Sequence, residues 1–199
     1  MNNSLQEYLN FANKLADVAG ITSMEYFRTS LSIDNKSDKS PVTIADKNTE
    51  LKIRSLIESE YPDHGILGEE FDSVNPDAEF IWVIDPIDGT RSYIAGHKDF
   101  GNLIALTQNK KPIIGIINCP AHEERWVGAK NQNSTVNQQT ANTSSVTSIE
   151  DAYIFTSGLY FGSPCMAIAC DVLVFAITLC EIVKRRMAKA VFKVFIKLI

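Results

Sequence analysis

The sequence predicts an α/β layered domain with a partly antiparallel sheet. Two segments with helical periodicity come first, near residues 4–27 and 46–61, and a succession of short strand-like runs follows from residue 80 onward. Composition agrees: 199 residues, 45% hydrophobic and 22% charged, is ordinary globular usage and excludes global disorder and fibrous repeats.

Ser4-Leu5-Gln6-Glu7 has capping-box spacing and opens the first helix. Apolar residues then recur at Leu5, Tyr8, Leu9, Ala12, Leu15, Ala16 and Ala19, a stripe that continues to about Phe27. Leu31 to Val42 is polar, carries Pro41 and reads as a loop. A second helix fits from near Asp46 to Tyr61, with Pro62 stopping it. Phe80-Ile81-Trp82-Val83-Ile84 is apolar without alternation, which suits a strand covered on both faces. Leu103–Thr107 and Ile113–Ile117 read as two further strands, joined hairpin-fashion by Gln108-Asn109-Lys110-Lys111-Pro112. Arg125–Ala129 adds another. Lys130 to Ser148, rich in Asn, Gln, Ser and Thr, reads as an irregular surface connection, and Ala152–Thr156 resumes as a strand.

A net charge of −5 argues against a protein that mainly binds nucleic acid. Cys119, Cys165, Cys170 and Cys180 form no C-x-x-C pair, and the N-terminus lacks a basic stretch followed by an apolar one. Both observations lead us to expect reduced core thiols in a cytoplasmic chain. His64, His97 and His122 lack zinc spacing and read as solvated or capping residues, whereas Trp82 and Trp126 read as sheet core.

Seven acids and no Lys or Arg lie between Glu69 and Asp88. Asp85 and Asp88 follow the apolar run directly, in Asp85-Pro86-Ile87-Asp88-Gly89-Thr90, where open α/β sheets place ligands. Carboxylates held close together repel one another and resist ionisation unless a cation offsets them. A hard divalent ion such as Mg²⁺, taking oxygen ligands, answers that need. Pro86 fixes the turn so that Asp85, Asp88 and the Ile87 carbonyl converge. Gly89 admits close backbone approach, and a helical turn begun at Gly89-Thr90 would offer free amides to a phosphate. The spacing does not fit the D-x-D-x-T of aspartyl-nucleophile phosphatases, and Gly158 to Gly162 lacks the Lys-Ser/Thr of a P-loop.

Gly68-Glu69-Glu70, Trp82-Val83-Ile84-Asp85-Pro86-Ile87-Asp88-Gly89-Thr90 and the upstream Val42-Thr43-Ile44-Ala45-Asp46 together resemble the inositol monophosphatase family of metal-dependent, lithium-sensitive phosphomonoesterases. The resemblance runs from about residue 5 to Phe161. Pro62 to Phe71, Arg91 to Gly96, Phe100-Gly101 and Glu124-Arg125-Trp126 are similar to the bacterial histidinol-phosphate phosphatases. The resemblance implies an αβαβα sandwich whose second half is incomplete here. Residues 1–130 would form a metal- and phosphate-binding α/β domain, 131–162 the start of a second, and 163–199 a divergent apolar and basic tail.

By motif position, the resemblance implies that Glu69, Asp85 and the Ile87 carbonyl bind a first Mg²⁺, and that Asp85 and Asp88 bind a second. Asp46 and Thr90 would orient and deprotonate the attacking water. Ile87, Asp88, Gly89 and Thr90 would line the substrate phosphate, with Glu70 and Lys36 standing behind these groups. One ion would lower the pKa of the water and the other stabilise the leaving oxygen. The implied substrate is a small phosphate monoester of the inositol monophosphate or histidinol phosphate type, and family resemblance raises a homodimer as the assembly.

The family pattern departs near the C-terminus. Members carry a W-D-x-A-A or P-Y-D segment whose aspartate ligates the second metal, and no W-D or Y-D occurs here after residue 161. The first metal site thus reads as complete and the second as one carboxylate short. The alternative expectation is therefore a truncated, inactive or weakly active member with at most a binding or scaffold role. Residues 163–199 carry six Lys and Arg against two acids, the reverse of the preceding chain. Lys189, Lys193 and Lys197 recur at four-residue spacing among apolar residues. Over 184–199 this fits a basic stripe on a helix lying on an anionic membrane surface. It also fits an out-of-frame or decayed end, which would account for the lost motif and the change of composition together.

Overall fold

A computed structural model describes residues 2–30, 33–35 and 41–142. The expectations for Lys36, for a strand at 152–156 and for the tail at 163–199 lie outside the described residues.

Helix α1 (Asn2–Tyr26) buries the predicted stripe, with Ala12, Leu15, Ala16 and Ala19 fully covered. It begins before Ser4, so that residue lies inside the helix and is not its cap. Strands β1 (Ile33–Asn35) and β2 (Pro41–Thr43) pair antiparallel, Ile33 opposite Thr43, where the sequence predicts a loop. Three polar-rich residues per strand leave no alternation to read. Helix α2 (Ile44–Glu60) starts two residues earlier than expected because Thr43 caps it. The Thr43 hydroxyl accepts from the Ala45 amide at 3.1 Å, and Asp46, at the third helical position, accepts from the Thr43 amide at 2.8 Å. This reciprocal box satisfies donors that a helix start otherwise leaves unpaired.

Strand β3 (Gly65–Leu67), which no sequence pattern announces, pairs parallel with β4 (Phe80–Asp88). Strands β5 (Gly101–Gln108), β6 (Lys111–Cys119), β7 (Glu124–Ala129), β8 (Thr135–Val136) and β9 (Gln139–Thr140) then add antiparallel in chain order, giving a sheet of seven strands among the described residues. The β8–β9 hairpin corrects the reading of residues 130–148 as wholly irregular. Helix α1 packs across β5 and β6, α2 against β4, and the two helices against each other. Leu15, Ile53 and Ile57 there meet Trp82, Ile84, Ile104, Leu106, Ile114 and Ile116 of the sheet. Each such side chain contributes about 1.5–3 kcal/mol on burial, so this layer carries the fold.

Two features of β4 differ from expectation. The strand does not end at Ile84 but continues through Asp85-Pro86-Ile87-Asp88. Asp85 lies opposite Leu103 and Asp88 opposite Gly101, so β4 spends one residue more than its partner, a bulge. Pro86, with no amide to contribute to a ladder, is tolerated in a strand at such a place. His64, expected to be solvated, is instead stacked between Tyr61 and Phe80 at ring separations of 4.7 and 5.0 Å. Its Nδ1 lies 3.2 Å from the Trp82 indole N–H, which can donate only to an unprotonated ring nitrogen.

Burial pushes the His64 pKa below its usual value, against the pull of Asp63 and Glu79. A depressed histidine means that the unfolded chain takes the proton first. The contribution is therefore complete above the unfolded pKa of about 6.5 and is lost as pH falls through the lower folded value. Thermal melts followed by circular dichroism between pH 8 and pH 5 are expected to show Tm falling with acidification. The fall should be shallower in His64→Phe.

Candidate active site

The start of α2 and the end of β4 meet at a short helix, α3 (Thr90–Ile94). Asp46 is buried, with Oδ2 held by the Thr43 amide and by the Thr43 hydroxyl at 2.6 Å. That leaves Oδ1 3.5 Å from the Thr90 hydroxyl, which donates its one proton to the Ile87 carbonyl at 3.0 Å. A small rotation of Thr90 exchanges one acceptor for the other. Asp46, Ile87 and Thr90 are thus brought together. Gly89 supports them with φ of +85° and a Cβ position that would fall 2.8 Å from the Asp99 carbonyl. No other residue fits there without moving backbone.

Beside this group lie the carboxylates. Asp85 is pushed up to about 9, chiefly by burial, then by the negative charge of Glu69 and a side-chain hydrogen bond to it, with Asp88 and Asp46 adding to the effect. Its Oδ1 is buried and has no hydrogen-bond partner. Asp88, at the open end of β4, is raised too, by desolvation first and by Glu69 second, while its hydrogen bond with the Gly89 amide opposes the rise. Glu70 is half-buried next to Glu69.

The donor set suits a hard divalent cation: oxygen only, anionic, and with a buried carboxylate oxygen left without a partner. Among the described residues, no three acidic, His or Cys side chains are gathered so as to hold a metal ion by themselves. The Glu69 and Asp85 side chains instead lie within hydrogen-bonding reach of each other.

The supports of this site are less visible in the sequence. Glu50, fully buried on α2, accepts on Oε2 from the amides of Glu69 at 3.0 Å and Glu70 at 2.8 Å. Its Oε1 accepts from Arg54 Nε at 2.7 Å, and Arg54 Nη2 donates to the Phe71 carbonyl at 2.9 Å. Asn102 donates to the Pro86 carbonyl inside the bulge at 2.7 Å and accepts from Asn118 at 2.9 Å. Asn118 in turn accepts from Arg125 at 3.0 Å. The one available signal was an Asn placed in the otherwise apolar run Leu103–Leu106 and its approach. A groove of about 1000 Å³ between α1 and β7, lined by Gly20, Met24, Asn118 and Arg125 among others, includes none of the predicted site residues. No helix among the described residues is long and apolar enough to cross a membrane.

A carboxyl whose folded pKa is raised contributes stability that is complete below its unfolded value and is lost as pH rises through the folded one. For Asp85 that window extends from about 4 to about 9. Without divalent ions, Asp85→Asn is therefore expected to melt several degrees higher than the parent protein at pH 8, with the two converging near pH 4. Calorimetric scans in chelator at both pH values check this.

The profile of the inositol monophosphatase family matches residues 4–160. The chain is 40% identical over 155 residues to the bifunctional phosphatase IMPL2, chloroplastic, of Arabidopsis thaliana, covering 77% of this chain and 45% of that protein. It is 37% identical over 158 residues to a histidinol-phosphatase of Chlorobaculum parvum, covering 78% and 61%. Its fold superposes on an inositol monophosphatase from Zymomonas mobilis with a TM-score of 0.62 at 45% identity, over 71% of this chain and 54% of the other. The chain thus spans about half the length of these relatives.

Proposed function

The chain belongs to the inositol monophosphatase family, and from that premise we propose that it is a Mg²⁺-dependent hydrolase of a small phosphate monoester, acting through the carboxylates at the end of β4. The observation that carries this reading is Asp85. A buried carboxyl with an unpartnered oxygen, crowded by Glu69, Asp88 and Asp46, is costly unless a cation is its natural neighbour. Mg²⁺ dependence is general in the family, whose members bind small phosphorylated substrates.

Glu69, Asp85, Asp88 and the Ile87 carbonyl would hold the ions, in a two-ion arrangement. Bound Mg²⁺ would supply charge neutralisation of the phosphoryl group and a lowered pKa for the attacking water. The chain itself would do the rest. Asp46, held on Oδ2 by Thr43, turns Oδ1 toward Thr90 and would take there a proton relayed from Thr90. Thr90, in giving up its bond to the Ile87 carbonyl, would turn its hydroxyl toward Asp46 and accept the proton of the attacking water. The amide of Thr90 stands at the opening of α3, where phosphate oxygens would lie, and Gly89 keeps that approach clear of side chains. Histidinol phosphate and inositol monophosphate are the substrate types that the motifs and relatives favour. A homodimer remains part of the proposal by family resemblance.

Release of inorganic phosphate from both substrates, with Mg²⁺ and with Mg²⁺ plus Li⁺, tests the reading. Activity is expected with Mg²⁺ and inhibition by Li⁺. Asp46→Asn should lower kcat by about 10²–10⁴-fold, the range for loss of a positioned general base. Phosphate release that persists in Asp85→Asn would remove the metal assignment. A folded protein that binds a single Mg²⁺ without turnover would favour the binding-only alternative.

A further inference from the structure

We infer that the buried Glu50–Arg54 pair is a positioning clamp that sets Glu69 against Asp85, and so governs cation affinity without touching cation or substrate. The inference rests on the role of Glu69 proposed above.

Asp46, Glu50 and Arg54 follow at four-residue intervals and therefore share one face of α2. Asp46 reaches the Thr90 hydroxyl, while one turn on Glu50 takes the backbone of the segment that carries Glu69. Two consecutive amides, Glu69 and Glu70, donate to the same Glu50 oxygen, and Arg54 takes the Phe71 carbonyl. Three successive residues are thereby tied to two side chains that are themselves bonded at 2.7 Å. The approach is tight: a Cβ at Gly68 would collide with Glu50 Oε1 and fall 2.7 Å from Arg54 Nη2.

A buried ion pair is an expensive way to join a helix to a loop, since apolar residues of like volume often serve stability as well or better. What this pair adds is direction. A carboxylate accepting two adjacent amides fixes the peptide planes on both sides of the Glu69 Cα, and with them the direction of the Cα–Cβ bond. Glu69 is solvent-exposed at its own position, so the hold on its backbone acts together with its side-chain hydrogen bond to Asp85 in setting its direction. An oxygen donor displaced by about 1 Å is a poor ligand for Mg²⁺, which demands near-ideal geometry.

The test measures Mg²⁺ affinity by isothermal titration calorimetry on the full chain, together with hydrogen–deuterium exchange of the 68–71 segment. Glu50→Leu/Arg54→Met removes both charges together with the oxygen that accepts the two amides, and leaves no orphan ion. Arg54→Lys keeps the charge but gives up the reach to Phe71. We expect the double variant to weaken Mg²⁺ binding at least tenfold and Arg54→Lys about threefold, each with faster exchange at Glu69 and Glu70. In a Glu69→Gln background the same changes should cost less than twofold, because the clamp acts through Glu69. Unchanged affinity in a folded double variant, or in Arg54→Lys if the double variant does not fold, would overturn the clamp. An equal loss with and without Glu69 would overturn it as well. If Glu69→Gln alone leaves Mg²⁺ binding unchanged, it is the metal assignment that fails instead.

Discussion

Everything else in this molecule is arranged around the mutual repulsion of carboxylates gathered where β4 bulges. At an effective dielectric constant of 20, two like charges 4 Å apart oppose each other by about 4 kcal/mol. The strand that carries Asp85 and Asp88 must therefore be held from several sides. Strand β3 pairs with it on one edge and β5 on the other. Trp82, fully buried, anchors its apolar half against α1 through Phe11. Asn102 takes the Pro86 carbonyl, so the extra residue of the bulge is hydrogen-bonded and not merely accommodated.

Helix α2 has two tasks, and both follow from its first three turns. Its capping box spends one oxygen of Asp46 on the helix start and directs the other toward Thr90. The next turn supplies Glu50, whose carboxylate is spent on backbone. The helix is thus more than a cover for the sheet. Its buried polar face arranges two separate stretches of chain, 68–71 and 87–90, relative to each other.

The sequence made the local part of this site legible. Gly68-Glu69-Glu70 and Asp85-Pro86-Ile87-Asp88-Gly89-Thr90 are contiguous strings whose chemistry is written side by side, and the apolar run before the second is a recognisable buried strand. The supports were hidden because they act across the chain. Glu50 and Arg54 carry no motif that marks them, and only tertiary packing buries them. Asn102 and Asn118 lie on neighbouring strands 16 residues apart in sequence, and no periodicity pairs them. His64 was misread for the same reason, since its aromatic neighbours come from α1, β4 and the end of α2. Strands β1, β2, β3, β8 and β9 have two or three residues each, too few for any alternation to emerge. The extension of β4 through a proline ran against the local rule and was permitted by the bulge.

The order of elements along the chain has a consequence for biosynthesis. Both helices leave the ribosome before any of the strands they lie on. Ala12, Leu15, Ala16, Ile53 and Ile57 share their buried cluster with residues of β4, β5 and β6, the last of which closes at Cys119. At translation rates of about 5–20 residues per second, the greasy side of the helical pair stays uncovered for on the order of seconds. During that interval the newborn chain is an adhesive surface, and its safe passage depends on whatever shields it at the tunnel exit.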